Sequence, residues 1–212
     1  MKKREYFSAC LIFMAAFALW TATVMTFDVQ PIGPEGSAVG FGTLNGCFHE
    51  ATGVNWWLYD LTDWLSLVPL VTVVGFGLLG LSQLVKRRSI RKVDRSILIL
   101  GGFYILVAAA YVAFEVFPVN CRPVLIGGVL EASYPSSTTM LVLTVMPTAA
   151  MELRRRRGSR LLTWGAGVFA VLMLVWRLFS GVHWITDIIG GILLSGTLVM
   201  FYCAVRLEEK GG

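Results

Sequence analysis

Apolar residues run along this chain in long, nearly unbroken stretches, and the polar residues collect in short segments between them. Six such stretches fall at residues 6–27, 64–85, 96–117, 136–153, 161–179 and 183–205. Each is close to the roughly 20 apolar residues that a helix needs to cross a bilayer. The pattern therefore predicts an all-α protein, a six-span transmembrane helical bundle in which residues 1–212 form a single integral-membrane domain. The first stretch is too long for the apolar core of a secretory signal, and further spans follow it. Residues 28–63 make the longest connection, with Pro31 and Pro34 early and Trp56, Trp57 and Tyr59 late. Aromatic residues at that place predict an interfacial belt, and residues 44–51 a short interfacial helix. Residues 118–135 read as irregular, and Gly190–Gly191 as a place where the last span packs closely on a neighbour.

Composition agrees with the pattern. Of 212 residues, 56% are hydrophobic and only 15% charged, with a mean hydropathy of +0.72, which excludes a soluble domain. Six spans leave no length for a nucleotide-binding fold or a large soluble lid. The net charge of +5 does not indicate a nucleic-acid partner, because the basic residues sit in short runs between apolar stretches. Such runs anchor a protein to the lipid bilayer through anionic headgroups. With the N-terminus inside, sixteen of the eighteen lysines and arginines fall on the cytoplasmic side, as the topology rule for basic residues favours. That count predicts a multi-pass chain with both termini cytoplasmic, and the membrane expected for it is the plasma membrane. Within it, Arg154–Arg157 reads as a solvated topology anchor. The two exceptions, Arg122 and Arg177, fall at the outer face, where an arginine calls for an anionic partner. Cys47 and Cys121 share that face, so a bridge between them is conceivable, although four unclustered cysteines read more readily as free thiols.

Candidate chemistry gathers around those two arginines. His183 and Asp187 stand four residues apart at the outer start of the last span, which would put them on one helix face. A carboxylate beside an imidazole fixes its tautomer and stabilises the imidazolium formed when the other nitrogen reacts; alone, a histidine at a membrane interface also reads as a structural residue. Arg177 lies six residues earlier, across a turn at Ser180–Gly181. In Tyr134-Pro-Ser-Ser-Thr138, Ser136 can cap the fourth span. Its outward N–H groups would then receive a phosphate, or simply begin a helix. Arg122–Pro123 adds a guanidinium, whose planar fork of donors suits phosphate.

Together these residues resemble the type 2 phosphatidic acid phosphatases, a family that includes lipid pyrophosphate phosphatases and the glucose-6-phosphatase branch. Its signature, Lys-x6-Arg-Pro, then Pro-Ser-Gly-His, then Ser-Arg-x5-His-x3-Asp, stands here as Glu115-x6-Arg122-Pro123, Pro135-Ser136-Ser137-Thr138 and Trp176-Arg177-x5-His183-x3-Asp187. The resemblance implies a membrane lipid phosphatase with its motif region at residues 115–187. It implies that His183 attacks phosphorus to give a phosphohistidine while Asp187 orients it. Arg122, Arg177, Ser136, Ser137 and Thr138 would hold the phosphoryl oxygens, with no metal and no cofactor. The implied partners are a phospholipid or polyprenyl phosphate or pyrophosphate, met at the outer face.

Two departures bear on the chemistry. Thr138 stands where the family keeps a histidine acid, and threonine cannot protonate a leaving oxygen. Pyrophosphate, whose leaving group departs without a proton, is therefore the favoured headgroup. Glu115 replaces the usual lysine, and would face away, bind a substrate amine or donate a proton. Alternatives are a catalytically silent relative that binds anionic headgroups, and a transporter-like or scaffolding protein in which these residues line a polar cavity.

Overall fold

A computed structural model describes residues 2–156 and 158–208. The basic residues Arg157 and Lys210, counted above toward the cytoplasmic side, lie outside the described residues. The chain folds into helices α1 (Lys3–Thr26), α2 (Gly42–Thr52), α3 (Trp56–Leu65), α4 (Leu67–Arg87), α5 (Arg95–Val116), α6 (Ser137–Arg155), α7 (Arg160–Phe179) and α8 (Ile185–Glu208). No β-strand occurs among the described residues; only isolated bridges do. The all-α class predicted from the pattern holds, and α2 covers residues 44–51, where a short helix was predicted.

Two spans differ from expectation. The second begins eight residues earlier than the apolar run, because α3 and α4 are separated only by Ser66 and together form a candidate span from Trp56 to Arg87. The break has a local cause: Pro69 has no N–H to give the carbonyl of residue 65, and its ring crowds that carbonyl. The expected aromatic belt at Trp56, Trp57 and Tyr59 is thus the first turn of a helix. The fourth predicted stretch is helical, as α6, but among the described residues five helices, α6 not included, are apolar enough to count as candidate spans. In α6 Thr138, Thr139, Thr144, Thr148 and Glu152 dilute the apolar residues. They are tolerated because α6 faces protein rather than lipid, with eleven of its nineteen residues buried.

Packing follows from this central position. α6 lies against α7 and α8, and α8 lies along α1. Leu100, Phe103 and Val107 of α5, Met140 and Val145 of α6, and Leu194, Leu198 and Tyr202 of α8 form the main core. The predicted close approach of Gly190 and Gly191 is present: a Cβ on Gly190 would lie 2.5 Å from the Tyr134 ring, and one on Gly191 3.0 Å from Thr139. On the outside, Leu11, Ile12, Leu19, Val71, Leu78, Val168 and Leu161 are exposed, as a lipid-facing surface requires.

The bundle ends differ. Arg87, Asp94, Ser96, Glu152, Arg155 and Arg156 meet at one end. Arg154, Arg155 and Arg156 are exposed, as a solvated anchor is expected to be, and Arg155 and Arg156 are also paired with the buried carboxylate of Glu152. At the other end stand the N-termini of α6 and α8, the C-terminus of α7 and the segment 120–133. All four cysteines are free.

Candidate active site

At this second end, α7 finishes on Arg177 and the chain reverses at Ser180–Gly181. Gly181 has φ +71, and a Cβ there would lie 2.0 Å from the carbonyl oxygen of Gly53, so both backbone and space demand glycine. The turn is tied to the loop before α3 by the Asn55 N–H donating to Ser180 O, 3.0 Å. His183 and Trp184 follow, and α8 begins only at Ile185. His183 is therefore not on α8, and the expected shared helix face is corrected. Asp187, in the first turn, folds back over the lead-in instead: its Oδ2 accepts the Trp184 N–H at 3.0 Å and caps the helix. The same oxygen stands 3.6 Å from His183 Nδ1, longer than a hydrogen bond but close enough to bias the proton.

The imidazole is buried. Arg122 Nη1 lies 3.2 Å from His183 Nε2, and a guanidinium only donates. Nε2 accordingly holds a lone pair, and the ring proton belongs on Nδ1, facing Asp187. Burial first, then the charges of Arg122 and Arg177, hold the imidazole well below its ordinary range. His183 is thus neutral, with its free nitrogen aimed at a cation.

Arg122 and its neighbours come from a hairpin. Arg122 N–H donates to Glu131 O at 3.0 Å, and Ser133 N–H to Asn120 O at 2.9 Å. Gly127 and Gly128, both at positive φ, turn the chain between Ile126 and Val129, as a two-residue hairpin loop requires. This hairpin sets Arg122 Nε 2.9 Å from Glu131 Oε2 and Asn120 Nδ2 3.4 Å from Asp187 Oδ1. Ser133 Oγ donates to Asn120 O at 3.1 Å.

Arg177, 2% exposed, donates from Nη1 to Thr62 Oγ1 at 3.0 Å and lies over the Tyr59 ring at 5.2 Å. It forms no ion pair among the described residues, and its Nε has no hydrogen-bond partner. Ser136 caps α6 as expected, accepting the Thr139 N–H at 3.5 Å and the Thr139 hydroxyl at 3.1 Å. Its own N–H donates to Asp187 O at 3.0 Å, which fixes α6 to α8.

The structure thus brings Arg122, Arg177, His183, Asp187 and the Ser136 cap together. The side chains of Ser137 and Thr138 lie elsewhere: Ser137 lines a crevice with Glu115 and Ser133, and Thr138 one between α6 and α7. Glu115 is exposed at the end of α5. Sequence reasoning missed Thr62, Asn120 and Ser133, and read Tyr59 only as part of an aromatic belt. The Gly127–Gly128 pair was a usable hairpin signal for 120, 131 and 133; nothing local marked α3. Among the described residues, no group of three His, Cys, Asp or Glu side chains is placed to hold a metal.

The model of the PAP2 superfamily matches residues 110–210, which contain every motif residue from Glu115 to Asp187. Phosphatidylglycerophosphatase B of Bacillus subtilis (strain 168) is 32% identical over 83 residues, 37% of this chain and 40% of that protein's length. The chain thus matches less than half of that relative. The crystal structure of the first transmembrane PAP2 type phosphatidylglycerolphosphate phosphatase from Bacillus subtilis covers 96% of this chain and 97% of its own, at a TM-score of 0.61 and 20% identity. This second likeness is one of fold. The resemblance carried by the three motifs is borne out.

Proposed function

With a PAP2-superfamily match over residues 110–210, which bear the site, we propose that this protein is an integral-membrane lipid phosphatase. The observation that carries the reading is the buried His183, whose Nε2 faces Arg122 at 3.2 Å beside Arg177, a second buried arginine with no ion pair among the described residues. Two guanidiniums and a reactive nitrogen form a site for a phosphoryl group.

In the proposed reaction His183 Nε2 attacks phosphorus and Asp187 stabilises the imidazolium through Nδ1–H. Arg122, Arg177 and the N–H groups of Ser137 and Thr138 at the start of α6 hold the oxygens. The N–P bond of the phosphohistidine is then cut by water. The basic-residue count supports a site at the outer face of the plasma membrane and both termini in the cytoplasm. The substrate is a phosphate or pyrophosphate on a phospholipid or polyprenyl tail. The relatives are phosphatidylglycerophosphate phosphatases by name, which brings a glycerophospholipid monoester within the class. Thr138 supplies no acid, so pyrophosphate is the headgroup that asks least of the site.

The test is phosphate release in detergent from lipids with matched tails. His183→Ala is expected to abolish release from every substrate, and Asp187→Asn to leave a small residue. Thr138 also favours one rival reading, a silent relative that binds headgroups; headgroup binding without any release by the native protein would establish it.

A further inference from the structure

The missing histidine at Thr138 leaves open what protonates a basic leaving oxygen, and Tyr134, His49, Glu115 and Glu131 are candidates. Tyr134 is committed to Thr21, hydroxyl to hydroxyl at 2.7 Å, and its ring is packed against Gly190. His49 packs edge-on against Trp184, ring centres 5.5 Å apart, and makes no hydrogen bond to either arginine. Glu115 is exposed in the crevice beside Ser137. Glu131 alone of these is ion-paired with a site residue, its Oε2 2.9 Å from Arg122 Nε, a contact that lacks hydrogen-bond alignment. Arg122 reaches His183 Nε2 through Nη1 and Glu131 through Nε. The nucleophile and the carboxyl group therefore stand on opposite edges of one guanidinium. A phosphoryl group held by that fork would have the attacking nitrogen on one side and Glu131 on the other, as in-line displacement needs. The hairpin fixes this placement through the Arg122 N–H bond to Glu131 O at 3.0 Å, and Glu131, 39% exposed, keeps a path to solvent protons.

We propose that Glu131 is the general acid and base for this site, taking the role that Thr138 cannot fill; the inference rests on the hydrolase reading above. As a phosphate replaces it on Arg122, the carboxylate takes a proton from solvent. His183 Nε2 then bonds to phosphorus, the P–O bond to the lipid breaks with its electron pair on oxygen, and the Glu131 proton passes to that oxygen. In the second step water bonds to phosphorus, the N–P pair returns to Nε2 and the water proton returns to Glu131. Release of phosphate lets the carboxyl group shed its proton and pair with Arg122 again.

General acid help is typically worth about 10² to 10⁴-fold, and counts most for basic leaving groups. Glu131→Gln is therefore expected to slow hydrolysis of a lipid monoester by about 10² or more and of the matched pyrophosphate by less than about 10-fold. Glu131→Asp should restore part of the monoester rate. The phosphoenzyme trapped from pyrophosphate shows that the variant is folded. Equal losses on both substrates would make Glu131 only a holder of Arg122, and no loss on either would remove it from the reaction; both overturn the proposal. His183→Ala retaining activity would instead sink the hydrolase reading itself.

Discussion

The two ends of the bundle both collect arginines, and treat them oppositely. At the basic end Arg87 and Arg156 share Asp94, each at 2.9 Å, while Arg156 reaches the buried Glu152 at 2.7 Å. Ser96 donates to Glu152 at 3.0 Å and Gln83 to Asp94 at 2.8 Å, so α4, α5 and α6 are clamped together. At the other end Arg177 has a hydroxyl and an aromatic ring, and Arg122 a single carboxylate at the rim. An arginine neutralised by carboxylates has its electrostatic need met and serves architecture. One buried against neutral groups carries a desolvation cost that an incoming anion relieves. Supply of carboxylates, more than the number of arginines, separates a clamp from a binding site.

The largest test of this contrast is Arg177→Lys. Lysine keeps the charge but loses the fork and the flat face on Tyr59, and kcat/KM is expected to fall by about 10² to 10³-fold with little change in thermal stability. The mirror test is Glu152→Ala. Removing the shared carboxylate should cost about 1–3 kcal/mol of stability, read by unfolding in detergent, while kcat/KM per folded molecule stays within about twofold of the native value. A large loss of turnover at unchanged stability would break the division between the ends. Thr62→Val removes only the Arg177 acceptor and should reduce kcat/KM about 10-fold, the worth of one hydrogen bond to a charged group.

The smallest effects are those of pH, and they separate the ends by range. His183 is held below its ordinary pKa of about 6.5, so the acid limb of kcat/KM should lie below pH 6.5. Because protonation is disfavoured in the fold, His183 also draws stability away as pH falls through the unfolded value. Asp94 is held at about 2 by hydrogen bonds from Arg87 and Arg156. Its contribution is present above the ordinary value of about 3.9 and lost as pH falls from there toward 2. For a pair so open to water this is worth about 1 kcal/mol or less. An acid limb of kcat/KM that lies above pH 6.5 in the native protein, or that moves in Asp94→Asn, would contradict the separation.

How far these two ends were legible differed for a physical reason. Spans are written in hydropathy, which varies slowly along the chain, so α1, α5, α7 and α8 could be read directly. The early start of α3 could not, since Asp60, Thr62 and Asp63 interrupt the apolar run. Thr62 is polar because it holds Arg177 from 115 residues away. The motif residues Arg122, Ser136, Arg177, His183 and Asp187 were legible by spacing, yet the pairing of His183 with Asp187 is made by a capping lead-in and not by helical periodicity. Asn120 and Ser133 escaped because hydrogen bonds across a hairpin, and not an apolar pattern, bring them to the site.

The burial of α6 bears on how the protein is made. A helix whose inward side carries four threonines, and whose last turn holds Glu152, Arg154 and Arg155, gains little from entering lipid by itself, since its apolar residues are too few to offset the polar groups it would expose there. Its stability in the membrane comes from the helices that enclose it. α6 is therefore expected to wait at the translocation machinery for α7 and α8 and to partition with them as a group. Insertion and assembly then become one event: the chain segment that opens with Ser136 is committed to the bilayer only when the segments bearing Arg177 and His183 have emerged beside it.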